Sequence, residues 1–186
     1  MVCVLLADGF EEIEAIFPID ILRRGGVPVT VYSLMEGTTV TGAHGIPVTA
    51  DARVPEELPS ETEMLLLPGG MPGAATIDAV PLLTTFCDTL LQRGGHIAAI
   101  CAAPMALGRR CLLRGRRATC FPGFETYLDG AILSPERVVT DGPFTTAVGM
   151  GAAGELGLRL LSILRGRETA DSIAATAKIR TERNPL

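Results

Sequence analysis

The sequence predicts an α/β protein in which a mostly parallel sheet lies between two layers of helices. Short apolar runs of strand length alternate with longer segments whose apolar residues recur at helical spacing. Strands of βαβ units are covered by helices on both faces, so they are continuously apolar, as the runs in this chain are. The 186 residues, 47% of them hydrophobic, fit one domain over residues 1–180, with a frayed tail at 181–186.

The first third of the chain supplies three of the predicted strands. These strands, each an apolar run, are Val2–Ala7, Val27–Ser33 and Glu63–Pro68. A helix is predicted over Glu12–Arg24, because its apolar residues recur at helical spacing and Gly25 and Gly26 follow it. The glycine-rich segment Thr38–Ala50 predicts a β-hairpin.

The rest of the chain continues the alternation. Strands are predicted at His96–Ile100, Arg117–Phe121, Val138–Thr140 and Phe144–Val148. Helices are predicted at Pro81–Arg93, Ala102–Leu113, Gly151–Leu164 and Asp171–Arg180. In such sheets, functional residues gather where the carboxyl ends of the strands meet.

Composition excludes several functional classes. The net charge of −5 argues against nucleic-acid binding, and no apolar run approaches the ~18 residues of a membrane span. Without a basic leader before its first apolar run, the chain is expected to be cytoplasmic. Five cysteines without a CxxC spacing and only two histidines predict neither a disulfide framework nor a metal site.

Cys101 is the strongest candidate for chemistry. It follows a predicted strand and precedes a predicted helix, so it lies on a sharp strand-to-helix turn like a nucleophile elbow. The helix N-terminus is expected to favour the thiolate and lower the pKa of Cys101. The alternative is a buried structural cysteine at the end of a core strand.

Two neighbouring strand ends supply partners for Cys101. Gly69 and Gly70 end one strand, and the Gly70 N–H can form an oxyanion hole with the Ala102 N–H, unless the glycines only make an ordinary turn. Glu14 lies at the start of the first helix in a partly apolar setting that would raise its pKa. It can then serve as a general acid/base, although a carboxylate there also simply complements the helix dipole.

The two histidines and an arginine cluster are weaker candidates. His44, in the hairpin, reaches over the site or lies in a solvated turn, whereas His96 is at the amino end of its strand and is interpreted as structural. Five arginines lie close together and are interpreted as a solvated helix terminus rather than an anion-binding or RNA-binding patch. They are Arg109, Arg110, Arg114, Arg116 and Arg117.

The segments ADGFEEIE, LLLPGG and AAICAAP, in this order, resemble the ThiJ/PfpI superfamily. Within it, the chain is similar to the branch of the parkinsonism-associated deglycase and its bacterial relatives, from Val2 to about Lys178. The resemblance implies a flavodoxin-like doubly wound sandwich, like that of class I glutamine amidotransferases, and a homodimer without a cofactor.

The resemblance also assigns residues. It implies that Cys101 is the oxidisable elbow cysteine, that Glu14 is the acid hydrogen-bonded to it, and that Gly70 and Ala102 are the oxyanion donors. Auxiliary candidates are Gly69, Arg24 and His44. The resemblance implies that Arg24 and His44 fall in segments that approach the site or the dimer interface in relatives. Several relatives carry arginine at the position of His44.

Two departures bear on activity. The protease-like branch carries histidine directly after the elbow cysteine, where this chain has Ala102, and residues 120–125 also lack a histidine. A Cys–His dyad would therefore depend on His44, which disfavours peptidase and glutamine amidotransferase activity.

Two functions remain in competition. The first is a cysteine-dependent enzyme acting on reactive dicarbonyls or glycated amines, as a glutathione-independent glyoxalase or a deglycase. The second is a non-enzymatic oxidative-stress sensor or chaperone that works through oxidation of Cys101. A non-catalytic binding domain is a third alternative.

The first helix also has more apolar residues than one buried face needs, which favours a homodimer. These residues are Ile16, Phe17, Ile19, Ile21 and Leu22.

Overall fold

A computed structural model describes residues 1–179, and in it seven strands form one sheet with helices on both faces. The strands are β1 (Val2–Leu6), β2 (Val29–Ser33), β3 (Thr39–Thr41), β4 (Pro47–Thr49), β5 (Ala52–Arg53), β6 (Met64–Leu67), β7 (His96–Ile100), β8 (Arg117–Ala118), β9 (Ile132–Leu133), β10 (Val138–Asp141) and β11 (Phe144–Ala147). The helices are α1 (Glu12–Arg24), α2 (Gly73–Ala79), α3 (Leu82–Gln92), α4 (Pro104–Arg109), α5 (Ala153–Arg165) and α6 (Arg167–Thr176).

The main sheet has the strand order β10-β11-β7-β6-β1-β2-β5. Every neighbouring pair is parallel except β10 with β11, which is antiparallel. The predicted doubly wound, mostly parallel α/β fold is therefore confirmed. The strands β1, β6 and β7 lie in the middle, so their carboxyl ends meet at one edge of the sheet.

The core consists of two apolar layers, one on each face of the sheet. Alternate residues of β1 divide between them: Val2, Val4 and Leu6 pack on the face covered by α1 and α5. Cys3 and Leu5 pack on the other face, with α3 and α4. Burial on both faces explains why the sequence of β1 is apolar throughout.

Several element boundaries differ from those predicted. Helix α4 covers only Pro104–Arg109 of the predicted Ala102–Leu113, because Cys111 has a left-handed backbone with φ 56° that ends the helix. Helix α6 begins at Arg167 rather than Asp171. The strand predicted over Arg117–Phe121 pairs only at β8.

Three short elements were not predicted: β5, β9 and α2. The two strands have two residues each, too few for a periodic pattern, and α2 begins with a glycine and has no side-chain cap. The predicted frayed tail, residues 181–186, lies outside the described residues, and so does the end of the predicted last helix.

His96 occupies the amino end of β7, about 16 Å along the strand from Cys101 at ~3.3 Å per residue. Its side chain is buried, and Nε2 is 2.8 Å from Oγ1 of Thr145. Burial lowers the pKa of His96 to about 4, so the ring is neutral near neutral pH. These contacts support the structural role predicted for His96.

Within residues 1–179, no single helix has the length and hydropathy needed to cross a membrane. Helices α2 and α3 have that length and hydropathy only when they are counted together, and they are bent by 76° relative to each other.

Candidate active site

Cys101 lies at the predicted strand-to-helix turn, in a backbone conformation that non-glycine residues rarely adopt. Its φ is 64°, in the left-handed region, and it directly follows β7. Two hydrogen bonds hold this conformation. The Cys101 N–H donates to the carbonyl of Ala147 at 2.8 Å, and the Cys101 carbonyl accepts from the Phe121 N–H at 2.9 Å. Strained residues of this kind concentrate at functional sites, where the surroundings hold them in place.

Glu14 lies in the first turn of α1 and is almost fully buried, with 1% of its surface exposed. Its N–H donates to the carboxylate of Glu11, which caps the helix, at 2.7 Å. Its own Oε2 accepts the Gly69 N–H at 3.1 Å, and the carboxyl group is hydrogen-bonded to the Cys101 side chain.

Burial, with a smaller contribution from the nearby charge of Glu11, raises the pKa of Glu14 to about 7. Its hydrogen bonds to Cys101 and to backbone amides act in the opposite direction. The carboxyl therefore exchanges its proton near neutral pH, as a general acid/base requires.

Gly69 and Gly70 occupy positions that larger residues cannot take. A Cβ at Gly69 would lie 2.4 Å from Oε2 of Glu14 and 2.6 Å from Cβ of Cys101. Gly70 has φ 86°, and a Cβ there would lie 2.3 Å from the backbone nitrogen of Glu11. The two glycines thus let the carboxyl, the thiol and a bare loop backbone meet.

The backbone N–H groups of Gly70 and Ala102 lie beside the Cys101 sulfur. They lower its pKa, but burial and the charge and hydrogen bond of Glu14 raise it more, so the pKa of Cys101 rises to about 12. The predicted lowering of this pKa is therefore wrong. Helix α4 has only six residues, and an ionised Glu14 repels a thiolate beside it.

Four groups thus converge on one point: a thiol, an acid/base and two N–H donors. This set is suited to addition of sulfur to a carbonyl carbon, with the carboxylate removing the thiol proton and the N–H groups stabilising the oxyanion.

His44 lies near this site but is bound to another carboxylate. Its Nδ1 donates to Oε2 of Glu12 at 2.8 Å, and its backbone N–H donates to Oε1 of Glu12 at 2.7 Å. The hydrogen bond to Glu12 raises the pKa of His44. The imidazole is exposed, and its contact with Glu12 ties the hairpin of β3 and β4 to the start of α1.

Glu11, Glu12 and His44 also offer ligand atoms within 4.8 Å of one another, a grouping that could hold a metal ion and that the sequence analysis did not foresee.

Arg24 is not brought to Cys101. It ends α1, ten residues beyond Glu14 and so about 15 Å along the helix axis, and its Nε donates to Asp20 at 2.7 Å.

Two further residues beside the site were not anticipated. Gly149 lies where a Cβ would be 3.3 Å from the ring of Phe121 and 3.8 Å from Oε1 of Glu14. Phe121 is 47% exposed, and its ring and the Glu14 carboxyl both lie close to Gly149. Both belong to loops far from Cys101 and Glu14 in sequence, and no local pattern indicates their proximity.

Comparison with known proteins gives a consistent result. The model of the DJ-1/PfpI family matches residues 1–163. Protein DJ-1 homolog B of Arabidopsis thaliana is 36% identical over 181 residues, which cover 96% of this chain and 41% of that protein. This chain thus spans less than half the length of that relative.

Two other relatives are nearer in length. The Parkinson disease protein 7 homolog of Danio rerio is 32% identical over 92% of this chain and 93% of its own. A protein of Pyrococcus abyssi named as a deglycase is 33% identical over 78% of this chain and 88% of its own.

Solved structures agree in fold. Oxidized DJ-1 of Toxoplasma gondii has a TM-score of 0.91 at 34% identity, covering 97% of this chain and 98% of that one. A mutant of a DJ-1 superfamily protein from Salmonella typhimurium has a TM-score of 0.91 at 32% identity, with the same coverage. The resemblance predicted from three short segments and the flavodoxin-like fold are thereby confirmed.

Proposed function

The chain belongs to the DJ-1/PfpI family, and we propose that it is a cysteine-dependent stress-protection enzyme that acts on reactive dicarbonyls. The observation that carries the proposal is the buried Glu14 carboxyl, hydrogen-bonded to Cys101 and with a pKa of about 7. A base of this pKa can remove a thiol proton near neutral pH and return it later. The deglycase name of the Pyrococcus relative is consistent with such chemistry.

The first proposed step is addition to methylglyoxal. Sγ of Cys101 bonds to the aldehyde carbon while Glu14 takes the thiol proton, and the carbonyl electron pair moves onto oxygen. The N–H groups of Gly70 and Ala102 stabilise this oxyanion. Glu14 then returns the proton to this oxygen, which gives a hemithioacetal and leaves Glu14 ionised for the next step.

The second proposed step is an internal proton transfer. Glu14 removes the hydrogen from the former aldehyde carbon, an enediol forms, and the proton returns to the neighbouring carbon. One carbon is oxidised and the other reduced, so no external oxidant is needed. Water then hydrolyses the resulting thioester to lactate and free Cys101. In a deglycase, Sγ would instead displace the amine from the hemiaminal carbon of a glycated amine: the C–S bond forms, the C–N bond breaks, and the thiol proton leaves on the amine, which gives the same hemithioacetal.

Peptidase and amidotransferase chemistry fits this site less well. The sequence has two histidines: His96 lies at the opposite end of β7, and His44 is bound to Glu12. Neither is hydrogen-bonded to Cys101, whose side-chain partner is Glu14. A Cys–His mechanism would need one of them to move.

The test is lactate formation from methylglyoxal without glutathione or added metal, with the wild type beside Cys101→Ser. Turnover that depends on Cys101 supports the proposal, and absence of turnover in the wild type contradicts it. Release of amine from a glycated peptide then distinguishes deglycase from glyoxalase.

Redox sensing is the second candidate function, because Glu14 is placed to donate a hydrogen bond to an oxidised sulfur at Cys101. After mild peroxide treatment, mass spectrometry is expected to find two added oxygens at Cys101 in preference to the other cysteines. Cys111, which is more exposed, is the internal control. Equal oxidation of both would count against this function.

We also propose a cytoplasmic homodimer. On α1, Ile13, Ile16 and Phe17 are 36–46% exposed, and a groove of about 1590 Å³ lined in part by Ile13 and Phe17 runs beside α5. A second copy would cover this apolar surface. The other apolar residues predicted to face a partner, Ile19, Ile21 and Leu22, are buried within the chain.

Ile13→Arg is therefore expected to yield a monomer at micromolar concentration in light scattering, because a charge replaces apolar contact area. Ile163→Arg is the matched control, since Ile163 is 42% exposed, close to the 46% of Ile13, but does not line that groove. A wild-type monomer, or an Ile13→Arg dimer, would contradict the proposed interface.

A further inference from the structure

The two N–H donors of the site belong to two separate short helices. Gly70 comes three residues before α2 begins, and Ala102 comes two residues before α4. Strand pairing fixes the backbone up to Leu67 and Ala99, which are partners in β6 and β7. Beyond those residues, separate hydrogen bonds hold each loop, such as Gly69 to Glu14 and Cys101 to Ala147, and the contact between α2 and α4 joins the two loops to each other.

The far ends of the two helices are joined through Arg110, the C-cap of α4. Its Nη1 donates to Oδ1 of Asp78 at 2.6 Å, and its Nη2 donates to the carbonyl of Asp78 at 2.7 Å. Asp78 belongs to α2. One guanidinium thus binds both the side chain and the backbone of a single residue on the neighbouring helix.

The remaining hydrogen bonds of Arg110 reach its own helix, α4, and a third helix, α3. Nη1 also donates to the carbonyl of Ala106 in α4 at 2.8 Å, and Nε donates to Oγ1 of Thr84 in α3 at 3.0 Å. Arg109 adds a further ion pair to Asp78. All three guanidinium nitrogens of Arg110 are therefore engaged, each in a fixed direction.

This ion pair is shielded from solvent, unlike the other arginine contacts nearby. The side chains of Arg110 and Asp78 are 16% and 9% exposed, whereas those of Arg114 and Asp129 are 63% and 71% exposed. The prediction of a solvated helix terminus is therefore wrong for Arg110. Shielded charge-assisted hydrogen bonds hold geometry more firmly than exposed ion pairs.

We propose that Arg110 and Asp78 form a positioning pair that sets the distance between the N–H donors of Gly70 and Ala102. The inference rests on the proposed function, in which those donors stabilise an oxyanion. A seven-residue helix is about 10 Å long, so a tilt of about 5° at one end displaces the other by about 1 Å. Displacement on that scale takes a donor out of hydrogen-bonding range, and such misplacement can cost about 10²-fold in rate.

The test variant is Arg110→Lys, which keeps the charge but cannot make the four directed hydrogen bonds. We expect kcat for methylglyoxal to fall about 10-fold while KM changes less than about 2-fold, because the donors act on the oxyanion rather than on bound substrate. The rate of Cys101 alkylation by iodoacetamide is expected to fall as well, since both donors also stabilise the thiolate. Asp129→Asn, which breaks an exposed pair, is the control and is expected to change neither rate.

Asp78→Asn keeps the shape of the side chain and removes only its charge, so it tests the pair if Arg110→Lys does not fold. A purely structural role predicts a lower melting temperature with kcat and alkylation rate unchanged well below it, and that result would overturn the proposal, as would faster alkylation. The alkylation rate also separates the two proposals. If the wild type makes no lactate but Arg110→Lys still slows alkylation of Cys101, the proposed function fails and the positioning pair stands.

Discussion

Cys101→Ser is expected to reduce lactate formation from methylglyoxal by about 10³-fold or more, because the variant lacks the atom that bonds to substrate. A serine hydroxyl is a much weaker acid than a thiol. Glu14, with a pKa of about 7, is closer in pKa to the Cys101 thiol, at about 12, than to a serine hydroxyl, so it removes a thiol proton more readily. The thioester needed for the final hydrolysis also cannot form.

The fold is expected to tolerate this change. Cys101 is only partly buried, its backbone conformation is held by Ala147 and Phe121, and serine is similar in size. Equal melting temperatures for the wild type and Cys101→Ser would show that the loss is chemical. Cys111→Ser is the matched control, because Cys111 also has a left-handed backbone but lies on the surface, and it is expected to keep full activity. Full turnover by Cys101→Ser would contradict the proposed mechanism.

The sequence predicts those parts of the site that lie within one continuous segment. Cys101 and Ala102 are found from the run HIAAICAAP, and Gly69 and Gly70 from the end of an apolar strand. Parallel strands bring these segments to one edge, so the fold class alone places Gly70 near Ala102. Glu14 can be predicted as a site residue because it lies in the first turn of the helix that follows the first strand.

Contacts between distant segments were not predictable in the same way. Nothing local distinguishes Arg110 from the four other arginines of its cluster, and its partner Asp78 lies 32 residues earlier. Gly149 comes close to both Phe121 and Glu14, and only tertiary packing brings these three residues together. The predicted lowering of the Cys101 pKa was also wrong. A helix N-terminus can be recognised in the sequence, but burial of the thiol beside a carboxyl cannot.

The buried Glu14 carboxyl, the acid/base of the proposed mechanism, has a cost to stability. Its pKa is raised to about 7 in the folded protein from an ordinary value of 4.5, so between these values the folded state binds more protons than the unfolded state. The contribution of Glu14 to the free energy of unfolding therefore falls as pH rises from about 4.5 to 7, by about 3 kcal/mol in total. Below that range the carboxyl is neutral in both states and nothing is lost.

Glu14→Gln is accordingly expected to separate activity from stability. Turnover should fall by about 10² to 10⁴-fold, because an amide cannot accept or return the proton. The variant should nevertheless resist urea better than the wild type at pH 8, by up to about 3 kcal/mol, and the difference should shrink toward pH 5. The test is to measure urea unfolding curves of the wild type and Glu14→Gln at pH 5 and pH 8, together with the turnover of both proteins.

Glu12→Gln is the matched control, because Glu12 is buried in the same helix turn but its pKa is lowered, since its hydrogen bonds to His44 outweigh its burial. Loss of Glu12 should therefore destabilise the protein at pH 8, opposite in sign to loss of Glu14. If Glu14→Gln destabilised the protein at pH 8 as well, its carboxylate would be a stabilising partner of the Gly69 amide. The raised pKa, and with it the assignment of Glu14 as the acid/base, would then be wrong. If Glu14→Gln instead gained stability at pH 8 and lost turnover, the buried carboxyl would reduce the stability of the fold and be needed for proton transfer at Cys101.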